Sequence, residues 1–451
     1  MSGGVSIDNL GLPPLAGVCS YERAAMPGLG VDQTVSLLKR YNYVARRLHE
    51  TAAAHLAATP EWEVKCALGL HLWLDAEHCG AVRARVAEMR EPPLQLDDVP
   101  DERLRAALEE LLRAEGSAEL VTGIYGVVRP ALLAAIRAHL AAMNPLFDHP
   151  TYRLLRQVER DQEEMLKWGE AACAALTREP EEAARADAFA AHLERYLTEA
   201  GGISGERPAE VAGELPAARW DGSEYEMDAE PRRDARFIDP FNCSARIDDY
   251  YADESRPADE RAFALVHKRL REMDVPEWMA PILFRTRGRP WDYYRELGRQ
   301  LWDETRHAMM GEVALHAAGV PFYAYPVDMA ASSSLNREFT PREAHILLLD
   351  IEQGLMPRET GKRWEWTIAG LDGDPLLVAL QDYDWADEVL HAQIGRRWLR
   401  DEHFSAAERK AAAKALWARW NPALERYSRA SAQDEWWDEF LARVRAGRAV
   451  A

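Results

Sequence analysis

Apolar residues recur every three to four positions through most of this chain, in segments rich in Ala, Leu, Arg and Glu and nearly free of β-branched runs. That period buries one stripe of a helix and does not suit a half-buried strand, so the chain is expected to be all-α. Proline and glycine supply the punctuation. Helices are expected over 31–59, 61–91, 101–115, 117–143, 150–177 and 181–200, broken at Thr59-Pro60, Pro92-Pro93 and His149-Pro150. Residues 201–257 lose the period and fill with Gly, Pro, Asp and Arg, as a linker or crossover would. Helical pattern resumes over 258–285, 290–319, 340–370, 374–402 and 405–447, with Gly288-Arg289-Pro290 and Asp372-Gly373-Asp374-Pro375 as turns.

A length of 451 residues exceeds what one hydrophobic core usually organises, which favours two domains. We expect a helical bundle over 1–200, a linker over 201–257, and a second bundle with C-terminal helices over 258–451. A weak internal repeat suggests duplication. Trp73-Leu74-Asp75-Ala76-Glu77-His78 matches Trp302-Asp303-Glu304-Thr305-Arg306-His307, and Glu164-Met165-Leu166-Lys167 matches Glu388-Val389-Leu390-His391 at nearly the same offset.

Asp and Glu outnumber Lys and Arg by 75 to 55, and a net charge of -20 disfavours nucleic acid and anionic lipid as partners. The stretch Ala118 to Met143 is the most apolar, but Arg129, Pro130, Arg137 and His139 interrupt it, so no membrane span is expected. The opening residues lack the pattern of a signal or transit peptide, which makes a cytoplasmic location the expectation. Cys19, Cys66, Cys79, Cys173 and Cys243 are odd in number and never spaced as C-x-x-C, so small buried side chains in a reducing compartment are expected.

The chemistry concentrates in the second half. Glu304 and His307 stand at i and i+3 on an expected helix, and so do Glu388 and His391, so each pair projects from one face and can reach one ion. Asp303 and Asp387 precede the two motifs, and a metal-bound imidazole needs an acceptor for its other N–H. Two further carboxylates are required from the partner helices. Glu304 and Glu272 lie equally far after and before Gly288 (304 − 288 and 288 − 272), which makes Glu272 the first choice, with Asp274 in reserve. Before the second turn, Glu352 and Glu359 share a stripe. Glu352 is preferred, because its separation from Glu388 (388 − 352) resembles that of Glu272 from Glu304 (304 − 272), but Pro357 complicates the helix and Glu359 stays open as the alternative; His345, on the same stripe, is expected to be capped or partly exposed.

These motifs resemble the carboxylate-bridged di-iron proteins of the ferritin-like superfamily, which includes ribonucleotide reductase small subunits, rubrerythrins and bacterial multicomponent monooxygenases. Asp303-Glu304-Thr305-Arg306-His307 looks like the Asp-Glu-x-Arg-His signature of the monooxygenase hydroxylases. The resemblance covers residues 258 to 402 well and 31 to 177 faintly. It implies tandem ferritin-like four-helix bundles, the second holding two iron ions (iron with manganese or manganese alone being the alternatives) on Glu272, Glu304, His307, Glu352, Glu388 and His391. The first is expected to be degenerate, since Lys167 stands where a second histidine belongs and no carboxylate lies near positions 43–46 or 126–130.

The function this implies is an O2-dependent oxidase or oxygenase acting on a small organic molecule, with O2 as co-substrate. No Gly-rich dinucleotide fingerprint or iron–sulfur spacing is present, so a separate electron donor is an expected partner. A homodimer is left open. Two alternatives stay open too: peroxide or iron handling of the rubrerythrin or manganese catalase kind, and a non-enzymatic helical scaffold whose 15 tryptophans fill core and interfaces. Trp302, Trp385, Tyr293, Tyr294 and Tyr383, near the motifs, are read mainly as core packing.

Overall fold

The computed structural model describes residues 9–90, 94–206, 214–242, 247–400, 405–428 and 436–449, and no strand occurs among them. The chain is all-α, as its period demands. Backbone contacts divide it into two compact units, Met1–Leu48 with Leu74–Tyr225 and His49–Trp73 with Glu226–Ala451. The division departs from the sequence boundaries at 49–73, which falls in the second unit although it lies early in the chain. It departs again at 201–225, which stays with the first.

In the first unit the helices Glu102–Leu112, His149–Leu176 and Pro180–Glu199 pack with Gly116–Ala142 around Leu108, Leu111, Ile124, Ile136, Leu155 and Phe189, all buried. The Gly116–Ala142 helix is long and apolar enough to cross a membrane by length and composition, and 67% of its most apolar window is buried in the structure. Its middle, Thr122–Val128, winds as a π-helix, a register change that brings Arg129 to face the core.

In the second unit four helical rods each touch two neighbours. The first rod is Ala258–Arg271 continued by Asp274–Arg285, the second is Trp291–Ala317, the third is Pro341–Gly354, and the fourth is Pro375–Trp398. The second rod packs on the first and the fourth, and the third packs on the fourth and on Asp274–Arg285. Phe263, Leu270, Ala308, Leu315, Trp437 and Phe440 join Trp62 and Cys66 in the hydrophobic core.

Local chemistry sets the ends of these rods. Pro276 has no N–H to offer the Glu272 carbonyl, so that carbonyl takes Val275 N–H at 2.9 Å and the first rod breaks at Glu272. Thr340 and Glu343 form a capping box that starts the third rod, and Asp374 caps the fourth through Leu376 N–H. Ala330–Glu338 is a helix that its run of small polar residues does not announce. The expected 340–370 helix ends instead at Gly354 and restarts at Lys362, because Pro357 cannot continue it. The expected 405–447 helix is seen as Ala406–Tyr427 and Trp437–Arg448, with 429–435 outside the described residues. Cys66 and Cys79 are buried as expected, Cys19 and Cys173 are half-buried, and Cys243 lies outside the described residues.

Candidate metal centre

The four rods of the second unit bring Glu272, Glu304, His307, Glu352, Glu388 and His391 together. Glu272 reaches in from the break in the first rod, Glu304 and His307 from the second, Glu352 from the last turn of the third, and Glu388 and His391 from the fourth. Donor atoms of Glu304, Glu352, Glu388 and His391 all lie within 4.8 Å of one another, and so do those of Glu272, Glu304 and His307. Glu304 joins the two groups. Its Oε1 is 3.1 Å from His391 Nδ1 and its Oε2 is 3.8 Å from His307 Nδ1. His391 Nδ1 also lies 3.4 Å from Glu388 Oε2, and His307 Nδ1 lies 3.4 Å from Glu272 Oε2.

Both imidazoles are latched from behind. His307 Nε2 is 3.2 Å from Asp387 Oδ2, and His391 Nε2 is 3.4 Å from Asp303 Oδ2. With the Nε2 protons donated to these carboxylates, each Nδ1 lone pair faces the middle of the bundle. Arg306 ties the two aspartates together, with one nitrogen 2.7 Å from each. The aspartates that precede the motifs therefore contact the imidazoles, each serving the histidine of the other motif.

The donor set leaves the atoms a cation would need. Glu272 Oε2, His307 Nδ1, Glu352 Oε2, Glu388 Oε2 and His391 Nδ1 are buried without a hydrogen-bond partner. A buried polar atom of this kind costs about 1–3 kcal/mol when nothing satisfies it, so five in one place mark a place for a ligand. Oxygen and imidazole nitrogen without thiolate suit iron or manganese. The residues present fit such ions.

Protein cations also enter the cluster. Lys362 and Arg269 are buried here, and neither they nor Asp384, which both of them contact, figure among the residues picked from sequence. Lys362 Nζ stands 2.8 Å from Asp384 Oδ1 and 2.8 Å from Glu388 Oε1, and Arg269 is 2.9 Å from Glu272 Oε1. Asp384 carried a signal, for it continues the Glu388 and His391 stripe one turn earlier. Lys362 carried none, because lysine is rarely buried and this one opens a short helix after a turn.

Among the protein groups alone, charge is unevenly shared. Burial lifts the Glu352 carboxyl well above its ordinary value, and neighbouring Glu388 adds to the effect. Burial works the same way on Glu388, but Lys362 overrides it and holds that carboxyl well below the usual range. Glu272 is brought down to about 2 against its own burial by Arg269 and Lys362. Burial disfavours a charged His307 and His391, yet Asp384 beside the first and Asp303 beside the second raise both well above the ordinary histidine value.

Several sequence expectations are corrected. Glu359 is exposed in the turn after Pro357, which ended the helix that would have aimed it inward. Asp274 accepts from Ala331 N–H and Ser332 N–H at the start of the 330–338 helix and is spent on that cap. His345 is buried with its ring 5.9 Å from that of Tyr293, not capped or exposed. Tyr383 is 63% exposed and packs in no core.

The residues of the first unit that the internal repeat pairs with these motifs are placed differently. Glu164 and Lys167 are exposed, whereas Gln162 and Met165, two positions earlier, are buried. The face this helix turns inward therefore carries Gln162 and Met165, not Glu164 and Lys167. Buried Arg129 donates to Asp75 at 2.7 and 3.0 Å and to Gln162 at 3.1 Å. His78 Nε2 lies 3.0 Å from Asp161 Oδ2. A cleft of about 740 Å³ opens beside His78 and Asp161, lined also by Glu77, Arg153, Arg156 and Glu163. Its size does not draw the chemistry there, because the converging unpartnered donors lie in the second unit. Comparison of the chain with protein-family models, curated proteins and solved structures finds no match.

Proposed function

We propose that the second unit is a ferritin-like four-helix bundle holding two iron ions, with manganese as the alternative metal, and that it carries out an O2-dependent oxidation of a small organic molecule. The observation that supports this reading is the convergence of five unpartnered buried donor atoms with both histidines latched from behind. Bound iron(II) would supply electrons for the reduction of O2.

The chain's own residues supply placement and charge. Glu304 turns one oxygen toward each imidazole and would help to hold both ions. Asp303 and Asp387 fix the ring orientations. The buried setting keeps bulk water from the carboxylates and strengthens every charge interaction among them. The first unit is then the same bundle with its donors replaced, Arg129 standing for the cation.

The test is the metal content of protein purified without chelator and after anaerobic loading with iron(II). Two ions per chain are expected, falling toward zero with alanine at Glu304 and His391, and substrate-free O2 uptake should follow the iron. A second reading is favoured by Lys362 and Arg269: a helical scaffold whose buried carboxylates are neutralised by protein cations. Protein that binds neither iron nor manganese would establish that reading instead. Rapid oxygen evolution from peroxide by a manganese-loaded sample would move the activity to peroxide handling.

A further inference from the structure

Lys362 stands inside the cluster in a way that divides it. The residue is 1% exposed, and its ammonium contacts Asp384 Oδ1 at 2.8 Å, Asp384 Oδ2 at 3.0 Å, Glu388 Oε1 at 2.8 Å and Glu272 Oε1 at 3.7 Å. The position is built. The Leu355 carbonyl accepts from Lys362 N–H at 3.0 Å, and it approaches so closely that a Cβ on Gly361 would lie 2.1 Å from it. Lys362 is thereby seated as the first residue of its helix, with its stem in the core and its charge among the carboxylates.

The two halves of the cluster meet this charge differently. On one side Glu304, Glu352, Glu388 and His391 form a complete four-donor set, in which Glu388 uses Oε2 and Glu352 keeps Oε2 free. On the other side, around His307, the donors are Glu272 and Glu304, together with Asp384 and Glu388. Those last two are the groups the ammonium holds. Glu388 Oε1 is bonded to the ammonium already, and a divalent ion beside His307 would stand next to that cation.

Resting on the metal-centre reading above, we propose that Lys362 makes the two ion positions unequal: the His391 side takes a divalent cation tightly and first, and the His307 side takes one weakly and second. The lysine acts as a fixed counter-cation that sets the loading order of the centre.

The experiment is an anaerobic titration of the full chain with cobalt(II), followed by calorimetry and by the visible absorption of the bound ion. The first cobalt(II) is expected to bind about 100-fold or more tightly than the second, given the repulsion between like charges a few ångströms apart at an intermediate dielectric. Lys362→Met should narrow the gap to within about tenfold by strengthening the second step, while Lys362→Arg, which keeps the charge, should preserve it. Glu352→Gln should weaken the tight step and Glu272→Gln only the weak one. Two equal sites in the unaltered chain, or a gap that Glu352→Gln leaves in place, would overturn the assignment even if Lys362→Met fails to fold. If the unaltered chain binds no cobalt(II), iron(II) or manganese(II), the metal-centre reading falls, and this outcome differs from two equal sites.

Discussion

His391 Nε2 lies 3.4 Å from Oδ2 of Asp303, an aspartate one turn before the other histidine, His307, on a different helix. Asp387 returns the arrangement, sitting one turn before His391 and reaching His307. The second and fourth rods therefore hold each other's imidazoles, and the orientation of each ring depends on how the two helices dock. Arg299 and Arg306 hold Asp303 in its charged form, His391 being the first of the groups that bring its carboxyl to about 2 against burial.

The exchange predicts which ion each aspartate supports. Asp303→Asn should weaken the ion on the His391 side by about 10–100-fold and Asp387→Asn the ion on the His307 side by a similar factor, since outer partners of metal-bound histidine carry that much affinity. Stepwise metal titration of the two variants would check this. Loss confined to the histidine on the same helix as the altered aspartate would mean that the latches are not crossed.

Arg129 in the first unit predicts a different cost. Breaking a buried ion pair strands the other charge, so Arg129→Met should destabilise the first unit by about 3–5 kcal/mol. Asp75→Leu combined with Arg129→Met should recover much of that, because nothing charged is left unpaired. Neither variant should change metal content, as Gln162 and Met165 offer no carboxylate or imidazole. Urea unfolding of single and double variants, with metal analysis alongside, would decide it, and a double variant no more stable than the single one would count against the pair as drawn.

Much of this arrangement was legible in the sequence because helical period and turn position are local properties. Turn symmetry about Gly288 found Glu272 even though Pro276 breaks the rod there, since a one-residue disturbance barely shifts the level of a side chain. Sequence spacing preferred Glu352 but left Glu359 open, and it is the helix end at Gly354 that separates the two in the structure. The misses are contacts that no local pattern encodes. A charged helix offers acid and base at i and i+3 on its outer face as readily as on its inner one, so Glu164 and Lys167 looked like the counterpart of Glu388 and His391 while the structure leaves both exposed. Lys362 and Arg269 are buried only because distant carboxylates receive them.

His267 gives a pH signature through contacts of its own, apart from the donor cluster. Its ring is buried against Trp436 and Phe440, with Nε2 3.0 Å from the Pro326 carbonyl, and burial with nearby Arg271 lowers its pKa to about 3. The folded state thus keeps the ring neutral while the unfolded chain protonates near pH 6.5. Stability from this residue is complete above that pH and is lost as pH falls toward 3, at about 1.4 kcal/mol per unit. Between pH 6.5 and 5 the unaltered chain should lose about 2 kcal/mol more than His267→Gln, read by tryptophan fluorescence in urea. Parallel pH slopes for the two proteins would show that the ring is not held neutral.

Gly311 couples helix docking to the centre. A Cβ there would lie 2.4 Å from Leu270 N and 2.7 Å from its Cα, and these are backbone atoms that no side-chain rotation can move away. Alanine in place of glycine inside a helix ordinarily gains about 1 kcal/mol. The clash works against that gain and is the larger effect, because overpacking a close helix crossing costs about 1–3 kcal/mol and shifts backbone. Gly311→Ala should therefore lower the urea midpoint at unchanged slope. Leu270 is two residues before Glu272, so the same displacement should weaken the ion on the His307 side while sparing the one on the His391 side. A more stable Gly311→Ala protein with both ions retained would mean that the first and second rods do not cross this closely.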